Sequence, residues 1–444
     1  MNITEAMNYI HSLCWMNPDL GLDSTKELLA LLGNPEKDLK YVHIGGTNGK
    51  GSTSAMTAEI LRESGLKVGL FTSPFIMRFN ERIMVSTKNG ESDSLYGFKE
   101  ISDDELAELI TEVKAAIEKM TRSISEFEAV TALGFLYFKR QACDIVVLEV
   151  GMGGEFDATN VISAPCVAAL VNIGLDHTKI LGETIAEIAR TKSGIIKHGS
   201  DVVFYGENDE AREEIENRCA SEGCTLTIPD FSMLSTKTSD LSGQVFSYKT
   251  HKNIKMKMIG EYQQKNAAMS IEIIEALVKR GFKISEKNIS AGIEKTSWIA
   301  RLERINDKPV VFVDGSHNPQ GMRATVDAVK YAIKASDKPV GKVICVFGVM
   351  ADKDHEEIIR ILTETATEII AVQPEYYRAM KAEDLLAEAK GICKGLGVKV
   401  LKGGRVSEGI RKALKRADED SLILCLGSLY MAGEVRNFFF KYHN

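Results

Sequence analysis

The sequence predicts an α/β protein: two open, doubly wound sheets with a small antiparallel section near residues 225–260. Three observations carry this. Near-continuous apolar runs, among them Asp144–Val150, Cys166–Ile173, Lys342–Phe347 and Ser421–Leu426, read as parallel strands covered on both faces. Stretches of helical periodicity separate them. Residues 225–260 break that rhythm with alternating polar and apolar positions, as paired antiparallel strands require. A chain of 444 residues also exceeds one ordinary core. The expected division is an N-terminal P-loop-type domain, 1–297, carrying the antiparallel section, and a C-terminal Rossmann-like domain, 298–444.

Taken in order, residues 2–32 read as two helices around Asn17-Pro18. The apolar run from Tyr41 meets Gly46-Thr-Asn-Gly-Lys-Gly-Ser52, and a helix is expected over Ser54–Ser64. Lys67–Pro74 is a short strand stopped by a turn, and Glu81–Ser86 is a small strand. Helices are expected over Asp103–Met120, Glu126–Arg140, Glu183–Ile196, Asn208–Ala220, Gln263–Arg280 and Ser285–Glu294. Val202–Phe204 is a further strand. The second α/β pattern uses Val310–Val313, Lys342–Phe347, Glu368–Val372, Val398–Val400 and Ser421–Leu426 as strands.

Composition narrows the functional classes. Apolar residues make up 44% and charged residues 26%, as in an ordinary globular protein. A net charge of −7 gives no basic footprint, so nucleic acid is not an expected partner. No apolar stretch is long enough for a bilayer, and the first ten residues carry an acid and no basic cluster, unlike a signal peptide. The eight cysteines are scattered, with Cys345 and Cys425 inside apolar strands. That pattern fits reduced thiols in a cytoplasm. Cys219 and Cys224 lie closest together, but no second pair or histidine accompanies them, so zinc is not expected.

Ligands of open α/β sheets bind at the carboxyl ends of strands. The glycine loop is the first such end. Its backbone N–H groups can curl around a phosphate, Lys50 adds a point charge, and the helix N-terminus adds its dipole. Thr47, Asn48, Gly49, Lys50, Gly51 and Ser52 are therefore the candidate phosphate contacts. The alternative is a glycine turn that only permits tight packing. Ser73, Glu149 and His177 offer hydroxyl, carboxylate and imidazole at neighbouring strand ends. Ser73 also suits a plain turn and His177 a loop hydrogen bond, whereas a strand-interior Glu149 would be costly to bury unpaired. Lys192 reads, on spacing alone, as a solvated helical lysine. In the second domain Asp314-Gly-Ser-His-Asn-Pro319 suits a phosphate or an amine, or equally a helix cap. Gly348–His355 and Gly427–Tyr430, with Ser428 as a candidate substrate contact, end later strands.

Together these motifs resemble the folylpolyglutamate synthase family, including its dihydrofolate synthases, within the Mur ligase superfamily. The likeness rests on Gly46–Ser52, Thr72–Pro74, Leu148–Gly154, Asp157–Asn160, Leu175–His177 and Asp314–Pro319, in order along the chain. It implies an ADP-forming, ATP- and magnesium-dependent amide ligase, cytoplasmic and monomeric. A folate carboxylate would become an acyl phosphate, which the amine of L-glutamate then attacks. By the same likeness Gly49, Lys50 and Ser52 cradle ATP phosphates, and Asn266, Arg301 and Asp314 contact ATP. Ser73, Glu149 and His177 hold magnesium. Lys192 is carbamylated and helps hold a second ion. His317 lies where phosphate and glutamate meet, and Gly153, Gly154, Asp157 and Ala158 border the pterin site.

The chain departs from the family pattern at Thr191, Ser193, Tyr262, Ile299, Ala300 and Glu155, the last on the pterin side. Three rival readings are a Mur-type ligase of cell-wall precursors, a nucleotide switch without ligase activity, and a binding or scaffold protein, which so many polar strand ends in one register disfavour. The first expects a further domain before the glycine loop, where this sequence has 40 residues before Tyr41. The second leaves Asp314–His317 without a role. Dihydropteroate and folate both remain open as acceptors.

Overall fold

The computed structural model describes residues 1–14, 21–87, 97–336 and 339–441. The break expected at Asn17-Pro18 lies outside them. The chain divides into two compact units, one of residues 1–234 and 265–296 and the other of 235–264 and 297–444. The antiparallel section thus groups with the second sheet, where sequence alone places it with the first. Local packing explains the grouping: Arg304 donates to the Leu241 carbonyl at 3.4 Å, and Leu241 and Tyr262 pack on the second unit's core.

The first unit is built on β1 (Tyr41–Gly45), β2 (Val68–Phe71), β3 (Ile83–Ser86), β4 (Phe98–Glu100), β5 (Ile145–Glu149), β6 (Val167–Leu170), β7 (Asp201–Phe204) and β8 (Thr225–Thr227). Among the described residues they form one sheet in the order β4-β3-β2-β5-β1-β6-β7-β8. β3 and β4 join antiparallel at one edge, and the other pairings are parallel. β1, β2, β5 and β6 are buried throughout, which is why they read as unbroken apolar runs. β8 is a correction: residues 225–227 extend the parallel sheet instead of starting the antiparallel section.

That section comprises β9 (Leu234–Asp240), β10 (Gly243–Tyr248) and β11 (His251–Met256), ordered β11-β10-β9. The alternation expected there is visible in β10, whose burial switches at each residue.

The second unit's sheet uses β12 (Glu303–Asp307), β13 (Val310–Val313), β14 (Lys342–Phe347), β15 (Glu368–Gln373), β16 (Lys399–Arg405) and β17 (Ser421–Leu426). Their order is β12-β13-β17-β14-β15-β16, with the polar β12 antiparallel at the edge and the rest parallel. No helix among the described residues is long and apolar enough to cross a membrane.

Candidate active site

Register brings the first unit's polar strand ends together. β5 lies between β1 and β2, with Ile44 beside Glu149 and Phe71 beside Leu148. The glycine loop, Glu149 and Ser73 therefore leave one edge of the sheet side by side. The Ser73 amide donates to Glu149 Oε2 at 3.2 Å, and the carboxylate is 4% exposed.

The glycine loop is fixed from both sides. Thr47 and Asn48 donate backbone N–H groups to the Asn172 carbonyl at 2.7 and 3.3 Å, and Thr47 Oγ1 donates to the Gly174 carbonyl at 3.1 Å. Gly46 and Gly49 have φ of 138° and 99°, values that side chains resist. A Cβ on Gly49 would lie 2.6 Å from Asn266 Oδ1, so the loop is glycine where Asn266 leans on it. The following helix, Lys50–Glu63, begins four residues earlier than periodicity suggests, with left-handed Gly49 at its cap. Its N-terminal amides consequently belong to the loop itself.

Two lysines converge on this loop. Lys50 Nζ donates to the Gly46 carbonyl at 3.2 Å and the Thr47 carbonyl at 3.4 Å; Lys192 Nζ donates to the same Gly46 carbonyl at 2.9 Å. Lys192, on the helix Ile185–Ser193, is 4% exposed. The solvated lysine expected from spacing is thus overturned. Burial first, and the Lys50 charge second, push its pKa down to about 7.

The stretch 151–160 packs on the same helix end. A Cβ on Gly154 would lie 2.7 Å from the Lys192 carbonyl oxygen, and the Glu155 amide donates to the Thr191 carbonyl at 2.9 Å. Gly153 has φ of 71°. Asp157 spends its carboxylate inside this stretch, accepting from the Met152 amide at 2.8 Å and the Thr159 amide at 3.0 Å. Thr159 Oγ1 also meets buried His43 Nε2 at 2.8 Å. Burial and the Lys197 charge push the His43 pKa down to about 3, so this imidazole is neutral. Ala158 is buried behind the loop, while Glu155 and Phe156 face solvent. His177, in left-handed conformation at φ 48°, sits 3.7 Å from Asp176 with its side chain 55% exposed. Its described contacts do not include Ser73 or Glu149.

In the second unit Asp314 ends β13 and is buried. Its Oδ2 accepts from the Leu302 amide at 2.8 Å; its Oδ1 accepts from the Ser316 amide at 2.8 Å, from the Ser316 hydroxyl, and from Thr325 Oγ1 at 3.1 Å. Both oxygens thus hold protein, which makes Asp314 the organiser of this corner. Arg301 stands between Ala300 and Leu302, two non-glycine residues at φ 55° and 43°. Such strain persists only where the surroundings enforce it. Here Gly315 donates to the Ala300 carbonyl at 2.9 Å, and a Cβ on Gly315 would lie 3.1 Å from Arg301 Nη1. His317 Nδ1 donates to the Gly315 carbonyl at 2.9 Å, which fixes the ring ahead of the helix Pro319–Ala335. Asn318 caps that helix by accepting from the Gly321 amide at 2.7 Å. Ser428, after β17, is buried, and its Oγ accepts from the Tyr430 amide at 3.2 Å. Thr325, seven residues past Asn318, carried no sequence signal; its role appears only when the helix folds over Asp314.

Family models agree with this layout: the Mur ligase middle domain matches residues 44–274 and the Mur ligase glutamate ligase domain matches 300–429. A folylpolyglutamate synthase of Lacticaseibacillus casei is 35% identical, covering 98% of both chains. The chain belongs to the folylpolyglutamate synthase family of Mur ligases. Another member, the dihydrofolate synthase/folylpolyglutamate synthase of Bacillus subtilis, is 33% identical over 97% of this chain and 98% of its own. A solved folylpolyglutamate synthase complex with AMPPCP and folate superposes with a TM-score of 0.78 at 32% identity, covering 98% of this chain and 99% of the other. As a Mur ligase the protein is an amide-forming enzyme, and the nucleotide-switch reading is set aside.

Proposed function

We propose that the protein uses ATP to add L-glutamate to a folate, releasing ADP and phosphate. One observation carries the reading: Lys50 and Lys192 meet at the Gly46 carbonyl, inside a glycine cradle with the Glu149 carboxylate one strand away. That arrangement suits a dense negative charge such as a triphosphate. The folate carboxylate attacks the γ-phosphorus, ADP leaves, and an acyl phosphate forms. The glutamate amine then attacks the acyl carbon, loses a proton, and expels phosphate. A carboxylate is a poor acyl donor until its oxygen is phosphorylated, so positioning and charge stabilisation supply most of the catalysis.

In this reading Thr47, Asn48, Gly49, Lys50, Gly51 and Ser52 hold the phosphates, with Asn266 buttressing Gly49; Arg301 is a nucleotide contact proposed from the family likeness. Asp314 acts by fixing Arg301's flank and the loop bearing His317, and His317 is assigned to the amine and the leaving phosphate by the family likeness. Gly153, Gly154, Asp157 and Ala158 shape the acceptor side.

The donor set fits magnesium. Ser73, Ser52 and Glu149 supply oxygen around the cradle, and magnesium on a nucleotide takes only one or two protein carboxylates. No group of three or more His, Cys, Asp or Glu residues placed to hold a metal occurs among the described residues, as that mode of binding allows. His177 fits less well, because magnesium prefers oxygen and the ring is exposed. When bound, the ion neutralises charge on the transferring phosphoryl oxygens. Lys192, neutral for much of the time near pH 7, can combine with carbon dioxide to give a carbamate and a proton; the product is a further oxygen ligand.

The acceptor is tested by mass spectrometry after incubation with ATP, magnesium, L-glutamate and either a tetrahydrofolate or dihydropteroate. The expected result is a tetrahydrofolate product heavier by one or more glutamyl units. Unmodified acceptor in both reactions would remove the folate assignment.

A further inference from the structure

The strands β13, β17, β14 and β15 are neighbours in that order, so their following loops form a row along the carboxyl edge of the second sheet. The reaction above uses the first loop, at His317, and the second carries Ser428, a candidate substrate contact by sequence. The loop after β15 has no part in it, yet it is firmly built. The Glu375 amide donates to Glu434 Oε1 at 2.7 Å, the Ala351 amide to the Arg378 carbonyl at 2.9 Å, and the Met380 amide to the Val349 carbonyl at 2.9 Å.

This backbone presents Tyr376-Tyr377-Arg378 against Tyr430, two residues beyond Ser428. The Tyr376 and Tyr430 rings stack with centroids 3.9 Å apart and planes at 16°. The Arg378 guanidinium lies 5.4 Å from the Tyr376 ring centre and 5.8 Å from that of Tyr377. The hydroxyls of Tyr430 and Tyr377 and the guanidinium all reach the Tyr376 oxygen, holding its pKa below the phenol range. The acid beside Arg378 is Asp352, at 3.5 Å with both side chains well exposed, which makes a weak pair. The guanidinium therefore keeps donor capacity. Tyr377 is 86% exposed and Tyr430 42%, so these rings add little to the core.

Stacked rings with phenol hydroxyls and a guanidinium at one edge suit a short aliphatic carboxylate. The planar fork of arginine pairs both oxygens, and the ring faces cover methylenes. We propose that Tyr376, Arg378 and Tyr430 form a carboxylate-binding subsite for a glutamyl group, next to Ser428 and on the same sheet edge as His317. The inference rests on the glutamate-adding reading above. Two sources share the chemistry: the incoming L-glutamate, and the γ-linked glutamyl tail of an already extended folate.

The test is calorimetric titration of the full chain with L-glutamate and with γ-linked triglutamate, in magnesium and AMPPCP, for wild type and Arg378→Gln. Losing a charge-assisted pair weakens the bound ligand by about ten- to a hundredfold. A loss for L-glutamate alone assigns the subsite to the incoming amino acid; a loss for triglutamate alone assigns it to the tail. Tyr430→Phe keeps the stack and gives a smaller loss for the same ligand, and Arg378→Lys recovers part of the affinity. Thermal unfolding of each variant separates a binding loss from misfolding. If wild type binds neither ligand, or Arg378→Gln binds both equally well, the inference is wrong. A wild type that binds them but releases no ADP with folate would sink the ligase reading instead, so the two failures are distinct.

Discussion

Lys50→Ala is expected to reduce folate-dependent ADP release by at least about 10²–10³-fold, the usual cost of one preorganised electrostatic donor at a reacting phosphoryl group. Lys50 starts a helix and holds no core side chain in place; its described contacts are the Gly46 and Thr47 carbonyls. Its removal should therefore leave the unfolding temperature nearly unchanged while activity collapses. Steady-state ADP release, with melting curves alongside, checks both halves. A second consequence follows from the shared carbonyl. The Lys50 charge helps depress the basicity of Lys192, so the variant should return Lys192 toward its ordinary value.

Lys192→Met has the next largest expected effect, because it keeps the stem and deletes the nitrogen. Activity should fall by about 10–10³-fold, the span from losing a metal-supporting group to losing one preorganised electrostatic donor. The wild type should also respond to carbon dioxide: only the neutral amine forms a carbamate, and that form gains ground as pH rises through about 7. Activity in carbon dioxide-free buffer should therefore be low and recover on adding bicarbonate, whereas the variant shows no recovery. Stability carries an independent signature. The folded-state pKa is about 7 against an ordinary 10.5, so the unfolded chain binds more protons between those values. Stability due to this group is lowest below about pH 7 and rises between about 7 and 10.5. Denaturant titrations across that window, in carbon dioxide-free buffer, should show a rise for wild type that Lys192→Met lacks.

Much of this was legible in the sequence, for identifiable reasons. Strands buried on both faces leave unbroken apolar runs, so β1, β5, β6, β14 and β17 stood out, and polar residues at their carboxyl ends marked the site. Short or polar edge strands left no such trace. β4, β8 and β12 went unrecognised because edge pairing tolerates almost any side chain. Lys192 could not be read from spacing, because its burial depends on where its helix meets the glycine loop. Asp314 was legible as a site residue, and its turn with Ser316 is local, but its other partners, Leu302 and Thr325, are brought near only by tertiary folding. The strain at Ala300 and Leu302 was equally hidden, since neither residue type favours left-handed backbone. Tyr376-Tyr377-Arg378, by contrast, was an available signal: two aromatics and an arginine starting three residues past the end of a strand.

The central claim is that phosphoryl transfer from ATP is coupled to joining a folate and L-glutamate. Its most direct measurement is ADP release by the purified protein with magnesium ATP, adding folate and glutamate separately and together. The account predicts sustained release only with both present, in step with the glutamylated product. ADP released equally fast without any folate would contradict it.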